Sequence, residues 1–212
     1  MDNNKPRKNK HVKAWMTQHV NDHFVHMAQT NGYRSRAAFK LLEIDQTENL
    51  FKNVKTVVDL GCAPGSWSQV AMEQVGSKGR VIGVDLLEIK PLHGLHFIQG
   101  DFTTDETLNE LVNMLESTYV DLVISDMAPN ISGVKNVDQA RISYLVELVL
   151  DFCSNHLKNG GNCLIKVFNG GEFDSVIKQA REIFGKVAVK KPASSRSNSS
   201  ETFLFCSNKK PS

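Results

Sequence analysis

From Val54 to Phe184 the sequence alternates between two rhythms, and this alternation constrains the fold more than any single residue does. Val54–Leu60 is a β-branched run ending in Asp-Leu-Gly and reads as a buried strand. Arg80–Val84, Leu95–Gln99, Val120–Ser125 and Asn162–Phe168 read as further short strands. Helical patterns occupy Ser66–Val75, Asp105–Ser117, Asp138–His156 (a long helix ending near Gly160-Gly161) and Phe173–Phe184. Strands alternating with helices predict an α/β architecture with a parallel sheet covered on both faces. The pattern breaks at the end. Lys186–Lys190 and Thr202–Cys206 read as strands, but only about ten residues separate them and none is helical. A parallel crossover needs about a dozen residues, so the last strand is expected to run antiparallel in a seven-stranded, Rossmann-like sheet. Two helical patterns precede the sheet, over residues 12–28 and from about Arg36 to Leu50.

A chain of 212 residues suits one core rather than two. The expected organisation is a basic N-terminal arm and helix over 1–30 and a single domain over 31–212. No apolar run approaches the ~20 residues that span a bilayer. The start, Met1 to Lys13, is polar and basic, unlike a secretory signal. None of Cys62, Cys153, Cys163 and Cys206 lies in a C-x-x-C pair, which argues against a zinc or dithiol site and for a reducing cytoplasm. His19, His23 and His26 share a helix face but have no cooperating acid, so a solvated or RNA-facing surface is expected and no metal. The formal charge of +2 conceals an asymmetry: residues 1–40 carry +6, 41–185 carry −9 and 186–212 carry +5. Two basic ends around an acidic middle suggest a polyanionic partner at the ends.

The strand at 57–60 runs into Gly61-Cys-Ala-Pro-Gly65 before a helix. In an open α/β sheet, ligands bind beyond the carboxyl ends of the strands. Gly61 and Gly65 let the backbone come close to a ligand, and Asp85 ends the next strand where an acid accepts from ribose hydroxyls. Asp101 ends the third. A dinucleotide fingerprint fails, because Ala63 and Ser66 stand where its later glycines belong, and no Gly-Lys-Ser/Thr follows to make a P-loop. A phosphate-free adenosine ligand such as S-adenosylmethionine fits better.

Asp126 lies just beyond the fourth strand, in Ser-Asp-Met-Ala-Pro-Asn130. Alone it fits a turn cap. No aromatic follows Pro129, which weakens a base N-methylation reading. Lys166 interrupts the apolar strand Leu-Ile-Lys-Val-Phe at its carboxyl end. Lysine is almost never fully buried unpaired, so a stem packed in the core and an amine reaching a site is expected.

Taken together, these residues resemble the FtsJ (RrmJ-like) family of RNA ribose 2′-O-methyltransferases over nearly the whole chain. The resemblance rests on Tyr33-Arg-Ser-Arg-Ala-Ala-Phe-Lys-Leu-Leu42, Asp59-Leu-Gly-Cys-Ala-Pro-Gly-Ser-Trp-Ser-Gln69 and Ser125-Asp-Met-Ala-Pro-Asn-Ile-Ser-Gly133. It continues through Asp138–Glu147, Lys166-Val-Phe and Lys191-Pro-Ala-Ser-Ser-Arg196. The sequence departs from the family at Cys62 and Ser66, where Ala and Gly are common, and in the Arg-poor run before Glu201. The resemblance implies a methyltransferase fold that uses S-adenosylmethionine and a catalytic Lys-Asp-Lys-Glu tetrad at Lys40, Asp126, Lys166 and Glu201. It places cofactor contacts at Gly65, Trp67, Asp85, Asp101 and Asp126, beside the Gly61 turn. It also implies a monomer acting on large-subunit ribosomal RNA, as the family's bacterial branch does on a uridine ribose. Transfer RNA and messenger-RNA cap enzymes share the tetrad. A small-molecule or protein methyltransferase, and a non-catalytic RNA-binding module, are rival classes that the basic ends and the tetrad disfavour. Lys166 either takes the hydroxyl proton or only holds the hydroxyl oxygen.

Overall fold

The computed structural model describes residues 23–130, 132–195 and 199–211. Its strands are β1 (Thr56–Leu60), β2 (Arg80–Asp85), β3 (Leu95–Gln99), β4 (Val120–Ser125), β5 (Leu157–Phe168), β6 (Phe184–Lys190) and β7 (Glu201–Lys209). Its helices are α1 (His23–Thr30), α2 (Ala37–Glu48), α3 (Ser66–Val75), α4 (Asp105–Leu115), α5 (Lys135–His156) and α6 (Phe173–Ile183), with a 3₁₀ turn at Gly76–Lys78. The helix expected over 12–28 is seen only from His23 onward, the rest lying outside the described residues together with His19. His23 and His26 are exposed on α1.

The strands form one sheet in the order β3-β2-β1-β4-β5-β7-β6. Six run in one direction, and β7 slots between β5 and β6, antiparallel to both. The antiparallel expectation for the last strand therefore holds, yet the length rule behind it fails elsewhere. β2 and β3 pair in parallel although only the nine residues Leu86–Gly94, with no helix, join them. β3 is a half-exposed edge strand, so that face needs no covering helix there. β5 also begins earlier than its apolar run. Leu157 pairs with Val120 directly after α5, the register shifts, and Asn162 then pairs with Leu122. Gly160, at φ +77°, takes a backbone conformation within that irregularity that a side chain would strain.

Alternation along each strand divides the core in two. Val58, Val123 and Ile165 pack with Leu111 of α4, Val149 of α5 and Ala180 of α6. Their neighbours Val57, Leu122 and Leu164 pack with Leu41 of α2 and Val70 of α3 on the other face. Lys166, two residues after Leu164, shares the α2 face. All four cysteines are buried and free, and Cys153, Cys163 and Cys206 fill the α5 side of the core as small apolar residues. Among the described residues no helix is long and apolar enough to cross a membrane, and no cluster of metal-binding side chains is found.

Candidate active site

The carboxyl ends of β1, β2 and β4 open into a cleft of about 680 Å³, lined in part by Gly61, Ala63, Asp85, Asp101, Asp126 and Tyr144. Gly61 and Gly65 both have positive φ, at +75° and +104°. The glycine requirement comes from neighbouring protein atoms rather than from a ligand. A Cβ on Gly61 would lie 2.9 Å from the Met127 backbone, and one on Gly65 would lie 2.8 Å from Nη1 of Arg34. Arg34 ties this turn down by donating to the carbonyls of Pro64, at 2.8 Å, and Pro91, at 2.9 Å.

Each carboxylate of the cleft is held by its own surroundings. Asp85 accepts from the Ala63 N–H through Oδ2 and from the Leu87 N–H through Oδ1, both at 2.8 Å. Asp101 Oδ1 accepts from the N–H of Thr103 at 2.9 Å and from its hydroxyl at 2.7 Å. Oδ2 of Asp101 has no partner among the described residues. Three carboxylates line the cleft against one basic side chain, Arg141, which donates to the carbonyl of Asn130 at 3.1 Å. The field therefore favours a cation and disfavours phosphate.

Beneath the turn, Asp59 is fully buried in β1. Ser68 donates to its Oδ2 at 2.6 Å, while Oδ1 has no hydrogen-bond partner. Burial, with the charges of Asp126 and Asp85 nearby, pushes its carboxyl up to about 7. Burial likewise pushes the adjacent Cys62 thiol well up, so it is no reactive thiolate.

The second part of the site lies over β4, β5 and β7. Lys166 is 9% exposed, and its Nζ donates to the backbone carbonyl of Asp126 and sits 3.1 Å from Oδ1 of the same residue. That Oδ1 atom is buried and makes no aligned hydrogen bond, so the contact with Nζ is an ion pair. Lys40 reaches over from α2 and donates to Oε1 of Glu201 at 2.6 Å. Ser195 donates to the same oxygen at 3.3 Å. Register links the two pairs, since Lys166 is opposite Phe203 and Phe168 is opposite Glu201. The Lys40 ammonium lies 5.8 Å from the Phe203 ring centre.

The structure thus gathers Asp85, Asp101, Asp126 and Gly61 on one cleft and brings the four tetrad residues together as two ion pairs. Trp67 does not wall the cleft as a side chain. Its ring is 2% exposed, packs tilted against Phe203 with ring centres 5.6 Å apart and donates Nε1–H to the carbonyl of Ala37 at 2.8 Å. Its backbone N–H is one of the unpaired donors of the first turn of α3, the part of it that can face a ligand. Gly65 caps the same helix and is not part of the cleft lining either. Sequence reasoning missed Arg34, Arg141 and Tyr144. Arg34 lies within the run Tyr33–Leu42, but nothing in its spacing announces a strut to a turn 30 residues away.

These residues fit S-adenosylmethionine: carboxylates at three strand ends that could take a ribose, an adenine and a cationic centre, helix N–H donors, and, among the described residues of the lining, a single basic side chain, Arg141. The chain matches the FtsJ-like methyltransferase family over residues 33–209. It is 56% identical over 193 residues to the ribosomal RNA large subunit methyltransferase E of Methylobacillus flagellatus, covering 91% of this chain and 93% of that one. It is 50% identical over 203 residues to the enzyme of the same name from Neisseria meningitidis, covering 96% and 98%. Among solved structures, a ribosomal RNA methyltransferase from Plasmodium falciparum superposes with a TM-score of 0.75 at 30% identity, covering 84% of this chain and 98% of that one. Aeropyrum pernix fibrillarin, solved with S-adenosyl-L-methionine, shares the fold with a TM-score of 0.57 at 19% identity, covering 83% and 76%. The architecture, the cleft and these similarities together make this chain a member of the FtsJ-like methyltransferase family.

Proposed function

We propose that the protein methylates the ribose 2′-hydroxyl of a uridine in 23S ribosomal RNA, using S-adenosylmethionine, as a cytoplasmic monomer acting on the assembled large subunit. The observation that carries this reading is the Lys166–Asp126 and Lys40–Glu201 arrangement beside a carboxylate-lined cleft. The bound cofactor supplies an electrophilic methyl group on a sulfonium. Asp85 and Asp101 would hold its ribose and adenine, and Asp126 lies at the boundary between the cleft and Lys166. The acceptor hydroxyl enters beside Lys166, whose ammonium stem is fixed by Asp126. Transfer would form the C–O bond as the C–S bond breaks, with sulfur keeping the electron pair and the hydroxyl proton passing to Lys166 where it is the free amine, or to water where it stays the ammonium paired with Asp126. Lys166 is the group that orients this oxygen and, in its amine form, would take its proton. Lys40 and Glu201 order the acceptor side. The sequence places +6 in residues 1–40 and +5 in 186–212, and this flanking charge grips the RNA phosphates.

The test offers labelled cofactor to free ribosomal RNA, large subunits and transfer RNA from cells lacking the enzyme. Label is expected on one uridine of the large subunit, in a linkage that alkali no longer cleaves because the 2′-oxygen is blocked. Label on transfer RNA or on a capped message, or none that ribonuclease releases, overturns the reading.

A further inference from the structure

One face of α2 carries Arg36, Lys40 and Glu43 at i, i+4 and i+7, all turned toward the connection between β6 and β7. Lys40 belongs to the site already described. Glu43 does not, and its carboxylate makes contacts that no surface glutamate needs. It accepts from two successive backbone N–H groups, Ala193 at 2.6 Å and Ser194 at 3.0 Å. On the same turn Arg36 donates to the carbonyl of Ser194, and Ser195 N–H closes it onto Pro192 at 3.0 Å. Two consecutive amides pointing at one carboxylate form a small anion-binding nest, here filled by the chain itself. Ser195 follows directly and donates to Oε1 of Glu201, the oxygen that Lys40 also grips. Lys191, just before the turn, donates to the Glu201 carbonyl at 2.6 Å. Lower on α2, Glu48 pairs with Lys190 at the end of β6.

We infer that Glu43 is a positioning residue for methyl transfer: it pins the Pro192–Ser195 turn onto α2 and, through Ser195, sets Glu201 against Lys40. The inference rests on the proposed transfer to RNA. The physical reason is that Lys40 and Glu201 come from elements 161 residues apart in sequence. Their pairing is only as well placed as the turn between β6 and β7. Without the carboxylate, the exposed Ala193 N–H and the part-buried Ser194 N–H lose their acceptor and the turn shifts away from α2. Glu43 touches neither reacting group, so it acts on the rate only through this geometry.

The experiment compares Glu43→Ala and Glu43→Gln with wild type, measuring kcat on large subunits, the cofactor KM and the melting temperature. Misplacement at a reacting site is costly, so Glu43→Ala is expected to lower kcat about tenfold with the cofactor KM within about twofold. Glu43→Gln keeps one acceptor oxygen and is expected to recover to within about threefold of wild type. A Glu43→Ala kcat within about twofold of wild type, or a cofactor KM that moves as much as kcat, overturns the inference. If Glu43→Ala does not fold, Glu43→Ser decides in its place: a kcat within about twofold of wild type overturns the inference. Amide exchange at Ala193 and Ser194 reads the clamp independently of RNA. It is expected to quicken in both variants, and unchanged exchange overturns the clamp. Absence of transfer by the wild type would instead count against the functional reading.

Discussion

The two sides of the site are built from different kinds of contact. On the cofactor side, each carboxylate is fixed locally or by the adjoining strand end: Asp101 by Thr103, two residues on, and Asp85 by Leu87 and the β1 turn. On the acceptor side, the functional groups are fixed by one another across the fold. Lys166 and Asp126 are 40 residues apart and Lys40 and Glu201 are 161 apart, joined by side-chain ion pairs. On the proposed reading, a ligand that is the same in every turnover would meet preformed backbone geometry. The acceptor side is assembled from α2, β4, β5 and β7 only when the whole domain is folded. Removing a group on the first side should therefore cost affinity, and removing one on the second should cost rate.

The sharpest way to break that contrast is Lys166→Ala. Loss of a group that orients or deprotonates the nucleophile costs about 10²–10⁴-fold in single-turnover transfer, while the cofactor Kd is expected to stay within about twofold. Lys166→Arg refines the result, because arginine keeps a positive charge but does not give up its proton in proteins. Substantial transfer by the arginine variant would assign Lys166 to holding the oxygen rather than taking its proton. A Lys166→Ala enzyme with wild-type transfer, or with greatly weakened cofactor binding, would erase the distinction between the two sides.

Asp85→Ala tests the other side. On the proposed reading Asp85 accepts hydrogen bonds from the cofactor, so titration calorimetry is expected to show cofactor binding weakened about 10- to 100-fold. Transfer at saturating cofactor is expected to fall far less than in Lys166→Ala. A comparable loss of rate at saturation would show that Asp85 serves the chemistry as well.

The same contrast explains what could be read from the chain. The strand ends carrying Asp85 and Asp101 follow from local pattern, since a β-branched run, a glycine turn and an acid at the next strand end are neighbours in sequence. Lys166 announced itself as a charge inside an apolar strand. Lys40 and Glu201 carried no such signal. An exposed-looking lysine on a helix and a glutamate after a serine run gain meaning only when α2 and β7 meet, and the family resemblance was what singled them out. The direction of β7 was legible from a short connector, but the same reasoning applied to Leu86–Gly94 would have reversed β3. Connector length does not register that an edge strand needs no covering helix. Trp67 was placed correctly beside the glycine turn, while the burial of its ring against Phe203 depends on a strand 136 residues later.

Asp59 belongs to neither side and sits under both, and it provides the smallest effect. In the unfolded chain its carboxyl titrates at the ordinary 3.8, whereas burial raises it to about 7 in the fold. Between those values the native state binds one proton more than the unfolded state. Stability therefore falls as pH rises from about 4 to about 7 and levels off above, where both states carry the charge. Across pH 6 to 8 the loss is about 1 kcal/mol. Asp59→Asn cannot ionise, so its unfolding free energy is expected to lose this slope, with Ser68 still donating to the amide oxygen. Denaturant melts of both proteins at several pH values make the comparison. Parallel pH profiles for the two proteins would show that Asp59 does not titrate in this window. A slope that also vanishes on Asp126→Asn would show that the carboxylates of the two sides are coupled through Asp59, because removing one neighbouring negative charge then suffices to lower its pKa.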